Sequence, residues 1–323
     1  MDDNGTRLAS AEKLVEQAAT LARGGDFGAA KRKLDEATHA LEGVDLEADP
    51  KRLNLLASIH EGRGQIALAT GDLPAAETQL TQAIAVLHRE AEQRTGQPRS
   101  LHLAIAHLNL SATYGQMKRP DDALRENGAA LEALGALDDR QNGFLRMASL
   151  QSRGVILRQL ARKEQAVAAY DEAIALGDRL DLAGQAEAQE LLTELRLTAA
   201  LARNDLGAVG LAREHAQRAA SEAWARAEAG QQRAVPQYLN AQMNLVAFSE
   251  AAGDFAAAED ALFRVLKLVG PEPRVVAHGR AMYQRLLALD DDALEAGNLP
   301  RDEVEDSLAE LDKLATPPAP AQS

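Results

Sequence analysis

The sequence predicts an all-helical protein assembled from repeated helix pairs, and three observations predict it. Alanine and leucine supply most of the apolar side chains, while aromatic residues make up only 3% of the 323 positions. Alanine and leucine favour helices, whereas strands draw on β-branched and aromatic residues. One short pattern returns six times along the chain. The copies also keep a nearly fixed spacing, which is the mark of a stacked repeat architecture.

The first copy is GGDFGAAKRKLDEA at 24–37, followed by TGDLPAAETQLTQA at 70–83 and AGDFAAAEDALFRV at 252–265. Looser copies read MKRPDDALRENGAA at 117–130, LARKEQAVAAYDEA at 160–173 and LGAVGLAREHAQRA at 206–219. Alignment places alanine in one column of all six, at Ala30, Ala76, Ala123, Ala166, Ala212 and Ala258. Successive alanines are 46, 47, 43, 46 and 46 residues apart. Seven residues on, alanine recurs at Ala37, Ala83, Ala130, Ala173 and Ala219, with Val265 in the sixth copy. Two helical turns separate the columns, so both lie on one face. Gly-Asp before the first alanine reads as a tight turn, with glycine accepting positive φ and Asp capping the next helix. Asp26-Phe27-Gly28 spells a kinase magnesium motif, but no glycine-rich phosphate loop or catalytic loop accompanies it. It reads as an inter-helix turn.

The first helix of each pair carries a small residue upstream of the alanine column, at Ala18, Gly64, Ser111, Gly154 and Ala200. An apolar or aromatic residue often follows three later, as in Leu21, Tyr114 and Leu157. On these residues the chain resembles the tetratricopeptide-repeat family over about residues 8–270. Its long units are similar to those of kinesin light chains and bacterial regulators. The resemblance implies a right-handed superhelical solenoid of about six helix pairs with C-terminal capping helices. The extra length over the usual unit implies helices of about 16–20 residues, or roughly 24–30 Å. The fifth copy lacks a clean turn, and Arg203 occupies an apolar position. Arg63 and Arg153 replace the usual leucine before the small residue, through a shifted register or a specific role.

The expected organisation is a disordered N-terminus at 1–7, six repeats at 8–270, acidic capping helices at 271–315 and a disordered tail at 316–323. Pro271 and Pro273 break the last repeat from a helix at about 274–289, and Pro300 opens another to about 315. Residues 281–313 hold ten acids and three bases, as a solvated capping face or a patch for a basic partner. The helix at 300–315 carries an apolar stripe, Val304, Leu308, Leu311 and Leu314, for a capping contact or a homodimer. The tail TPPAPAQS is too proline-rich and polar to pack.

Net charge is −14 with no basic stripe, which argues against nucleic acid and against an anionic membrane surface as partners. No cysteine is present, no apolar run approaches the roughly 18 residues of a membrane span, and the acidic N-terminus has no signal-peptide core. These features read as a cytoplasmic protein. Arginine outnumbers lysine 27 to 8, which points to a GC-rich, bacterial genome. The seven histidines show no metal spacing, and no serine elbow supports a nucleophile. The sequence therefore calls for no metal, no cofactor and no catalytic residue.

Helical geometry selects the groove-facing positions of the first helices. These are Glu61 and Gln65; Leu108, Asn109, Ala112 and Gln116; Gln151, Ser152, Val155, Arg158 and Gln159; and Asn240, Met243, Asn244 and Glu250. Asn109 and Asn244 hold the same repeat position, where an amide offers both a donor and an acceptor. The resemblance implies that such an asparagine bonds the backbone of a bound peptide; a structural amide between helices is the alternative. The Lys, Arg and Asn cluster of chaperone-binding relatives is missing, with Arg158 and Gln151 a thin remnant. Trp224, the only tryptophan, reads as packing between units or as a groove-edge anchor. The expected function is a non-enzymatic scaffold or regulator that binds a segment of another protein in the groove. A peptide-sensing regulator of a transcription factor or response regulator is the alternative, although such proteins usually carry an effector domain ahead of the repeats. A solenoid with hidden catalysis is the third.

Overall fold

The computed structural model describes residues 3–93 and 101–315, which form fifteen α-helices, one 3-10 turn and no strand. The expected tail at 316–323 and residues 1 and 2 lie outside the described residues. The chain divides into two compact units, Met1–Leu180 and Asp181–Ser323. The first stacks four hairpins: α1 (Asp3–Arg23) with α2 (Phe27–Ala40), α3 (Pro50–Thr70) with α4 (Leu73–Gln93), α5 (Leu101–Gln116) with α6 (Pro120–Gly135), and α7 (Asp139–Gln159) with α8 (Lys163–Arg179). The second pairs α9 (Ala186–Asn204) with α10 (Val209–Glu228) and α11 (Ala234–Ala251) with α12 (Phe255–Val269). It ends in α13 (Pro273–Leu286), α14 (Asp291–Ala296) and α15 (Arg301–Ala315).

Each of the six hairpins closes in the same way. A residue with positive φ stands five positions before the alanine column: Gly25, Gly71, Lys118, Ala161, Gly207 and Gly253, with φ between 57° and 83°. The next backbone N–H then donates to a carbonyl five residues back, from Asp26 to Leu21, Asp72 to Ala67, Arg119 to Tyr114, Arg162 to Leu157, Ala208 to Arg203 and Asp254 to Ser249, at 2.9–3.0 Å. This left-handed closure satisfies carbonyls that the helix end leaves unpaired. The expectation that the fifth copy lacks a clean turn is therefore corrected, because Gly207 supplies it. Asp26, Asp72 and Asp254 then cap the second helices by accepting from Ala29, Ala75 and Ala257 N–H.

All six alanines of the first column, and all five of the second, are fully buried. Four residues past the first column stands the knob that meets the small residue of the preceding helix. An added Cβ on Gly64 would sit 2.6 Å from Leu80, and one on Gly154 would sit 2.2 Å from the Tyr170 ring. In the third hairpin Ser111 donates to the Ala123 carbonyl at 2.8 Å. These hairpins with small crossing residues are the tetratricopeptide-repeat arrangement.

The arginines left open by the sequence act between hairpins. Arg63 donates to Asp35 Oδ1 at 2.7 Å and to Thr38 Oγ1 at 3.0 Å, clamping α3 to α2 in register. Arg153 holds the same column, but Gly128 and Leu131 stand where Asp35 and Thr38 do, and it lines a groove with Glu132 and Glu172. One contact recurs with its polarity reversed: Arg119 of the third hairpin meets Glu77 of the second at 3.0 Å, while Asp254 of the sixth meets Arg213 of the fifth at 2.5 Å.

Two end regions differ from expectation. Helix α1 reaches back to Asp3, so residues 3–7 are helical and not disordered. Leu8 and Ala11 pack on the core, and extending a helix already nucleated there costs little. At the other end, α14 was not foreseen. Its C-terminal Gly297 carbonyl accepts from Phe255 and Ala256 N–H at 2.9 and 3.1 Å, capping α12 from outside. A Cβ on Gly297 would lie 2.1 Å from the Phe255 ring, so only glycine permits the approach. The stripe on α15 is spent inside this unit. Val304 and Leu311 are fully buried and Leu308 packs on the core, leaving only Leu314 exposed for a second copy.

Candidate functional site

On the first-helix side of the first unit, α1 and α3 part to leave a cavity of about 480 Å³. Its α3 wall is Ser58, Glu61, Gly62, Gln65, Ile66 and Ala69, a stripe at helical spacing on one face. The α1 wall repeats the spacing with Val15, Ala18, Ala19 and Ala22. Phe27 and Leu34 of α2 and His102 of α5 complete the lining. The space exists because the facing side chains of α1 are so short.

Glu61 is the polar centre of this cavity. It is only 8% exposed. Its Oε2 lies 3.5 Å from His102 Nδ1, and its Oε1 is buried with no partner. The Glu61 carboxylate raises the pKa of His102 above the ordinary value of 6.5, against the opposing effect of burial, and the buried Glu90 of α4 adds to the rise. Ser58 is turned to its own helix and donates to the Asn54 carbonyl at 2.9 Å. Arg23, also in the lining, likewise donates to the Ala19 carbonyl and to Thr20 Oγ1 on its own helix.

The structure brings together two of the expected groove residues here, Glu61 buried and Gln65 exposed. On α5, Leu108 and Asn109 are half-buried, while Ala112 and Gln116 are exposed. On α7, Gln151 is half-buried and Ser152, Val155, Arg158 and Gln159 are exposed. Arg158 acts on the Tyr170 phenol, whose pKa burial pushes up and the guanidinium pulls down. In the second unit Asn240 is exposed and Met243, Asn244 and Glu250 are half-buried, with Glu250 held by Nε and Nη2 of Arg285 at 2.6 and 2.8 Å. Asn109 and Asn244 share more than their column. In both, the side-chain Nδ2 is buried and has no hydrogen-bond partner.

Sequence reasoning missed the α1 wall and His102. The alanines of α1 look like any helix-packing residues, and His102 meets Glu61 across 41 positions of chain. Trp224 is 39% exposed and stacks at 4.9 Å on Tyr238. Together with Gln242 the pair lines a second groove, on the α10–α12 side of the second unit. Among the described residues no group of histidines and carboxylates is arranged to hold a metal ion. No helix among them is long and apolar enough to cross a membrane.

Residues 153–316, just over half of the chain, match the model of a family of unknown function, DUF6483. The chain belongs to this family. The DUF6483 match starts inside α7 and runs through α15, so it takes in the last hairpins and the C-terminal helices. No curated protein matches the chain. Among solved structures it is similar to aspartyl phosphate phosphatase F from Bacillus subtilis, at 11% identity and a TM-score of 0.54 over 98% of this chain and 73% of that one. It is similar to pilF of Pseudomonas aeruginosa, at 13% identity and a TM-score of 0.52 over 88% and 99%. BtubC (BKLC) from P. vanneervenii matches at 18% identity and a TM-score of 0.51 over 82% and 90%. At these identities the DUF6483 chain shares a fold with them, and the fold alone.

Proposed function

We propose that the protein is a non-enzymatic interaction scaffold or regulator that holds an extended segment of a partner protein against its first helices. The observation that carries this reading is the pair of buried, unpartnered amide nitrogens on Asn109 and Asn244. A buried donor without an acceptor is costly, and a peptide carbonyl laid along the helix satisfies it. Gln65, Gln116, Gln151 and Asn240 supply further side chains that donate and accept, while Leu108 and Met243 supply apolar contact. A solvated surface of this kind fits a bound segment better than a reaction centre, which needs paired groups with opposed roles.

The test is partner capture with the wild-type chain beside an Asn109→Ala, Asn244→Ala variant of unchanged melting temperature. The reading expects a partner held by the wild type and released by the variant. Equal capture by both would place binding elsewhere. A second reading, in which the bound segment is a signalling peptide and the protein controls a response regulator or transcription factor, draws support from the fold shared with aspartyl phosphate phosphatase F along nearly the whole chain. Capture of a short peptide with no protein partner would favour it.

A further inference from the structure

We infer that the cavity between α1 and α3 receives a basic side chain of the bound segment, with its ammonium or guanidinium group at the Glu61 carboxylate. This inference rests on the peptide-holding reading and adds the chemistry of one position in the peptide.

Three observations lead to it. The first is the carboxylate itself. Glu61 is more than nine-tenths buried, lines the cavity, and keeps Oε1 unpaired. A buried carboxylate oxygen with no donor is expensive to maintain, and a cation reaching it recovers that cost. The second is the charge around it. His102, the one histidine of the lining, stands 3.5 Å from Oε2, and the arginine of the lining, Arg23, is bonded to its own helix. His102 meets Oε2 alone, so a negatively charged or purely apolar occupant leaves Oε1 without a donor.

The third is the shape. Val15, Ala19, Ala22 and Ile66 line the cavity together with Glu61, and such apolar walls suit the methylene stem of lysine or arginine. At about 480 Å³ the cavity exceeds one such side chain. It therefore also accommodates the neighbouring backbone, with Gln65 exposed at the rim to bond it. An isolated ion gains nothing from the apolar walls. A basic residue in a peptide uses both the walls and the carboxylate.

The test uses the full chain and arrays of pentapeptides with degenerate flanks and a fixed central residue: lysine, arginine, norleucine or glutamate. Wild type is expected to retain the lysine and arginine pools about tenfold over norleucine, the scale of one charge-assisted hydrogen bond. Glu61→Gln should bring the basic pools down to the norleucine level and leave norleucine unchanged. Ala19→Leu is an exposed change that fills the cavity without disturbing the core, and it should weaken all pools. Equal retention of norleucine and lysine by wild type would overturn the inference, as would a basic preference that survives Glu61→Gln. If no pool is retained at all, the peptide-holding reading itself falls, and this inference with it.

Discussion

At the scale of single residues, His102 reports on Glu61 without any partner present. Its folded-state pKa is raised, chiefly by the Glu61 carboxylate. The protonated form is therefore the one the fold prefers. Its contribution to stability is full below the ordinary value of about 6.5 and is lost as pH rises through the higher folded value. His102→Gln should lower the melting temperature more at pH 6 than at pH 9, about half a unit below and well above that value. Thermal melts of both proteins at the two pH values decide it. A gap of equal size at both would mean that His102 and Glu61 are not coupled. At Gly154 the constraint is steric, since an added methyl meets the Tyr170 ring at 2.2 Å. Gly154→Ala should destabilise by about 1–3 kcal/mol through overpacking, offset in part by about 1 kcal/mol of helix propensity. Gly64→Ala should cost less, because Leu80 is a flexible side chain and its carbons lie farther off, at 2.6 Å. Urea unfolding measures both.

At the scale of the helix pair, the six turns share one geometry but not one sequence. Lys118 and Ala161 hold φ of 58° and 57°, where the other four turns use glycine. A side chain in that region costs roughly 1–2 kcal/mol. Lys118→Gly and Ala161→Gly should each stabilise by about 0.5–1 kcal/mol, since the gain is tempered by the freedom glycine adds to the unfolded chain. A denaturant midpoint that falls for either change would show that its turn is not strained. The same turns show what the sequence made legible. Alanines at a fixed period announced the crossing points, because close helix approach accepts almost nothing else. Glycine announced three of the turns, at Gly25, Gly71 and Gly253, while Gly207 was passed over for want of an aspartate behind it. Lys118 and Ala161 gave no such sign, since their backbone is held by the hairpin and not by their own preference. The role of Arg63 was hidden for a related reason, as it depends on Asp35 in the preceding pair. Helical geometry placed Glu61 and Gln65 on one face of α3, and both line the cavity. It could not reveal the cavity, which arises from short side chains on α1 and from His102 on α5.

At the scale of the whole molecule, the proposed function rests on repetition. Within each unit, stacked hairpins present the same helix face more than once, so a polar residue repeated in one column is offered more than once. Asn109 in one unit and Asn244 in the other are that repeat in its simplest form. The second helices carry ion pairs along their own length, such as Lys33–Glu36 and Arg125–Asp122. The C-terminal helices close the second unit through both polar and apolar contacts. Tyr283 and Ser307 both donate to Glu259, at 2.6 and 2.7 Å. Gly279 admits Leu262 and Leu311 where any larger residue would clash. The acids of this region lie mostly on the exposed side of α15, as a capping helix requires.

The central claim is that the first-helix side holds the partner. It is tested most directly by placing a photo-crosslinking residue, one position at a time, at Gln65 and Gln116 on first helices and at Gln82 and Glu164 on second helices, all four exposed. Illumination in living cells should join the same partner chain to positions 65 and 116 and leave positions 82 and 164 free. Crosslinks confined to 82 and 164, or none at 65 and 116, would contradict the account.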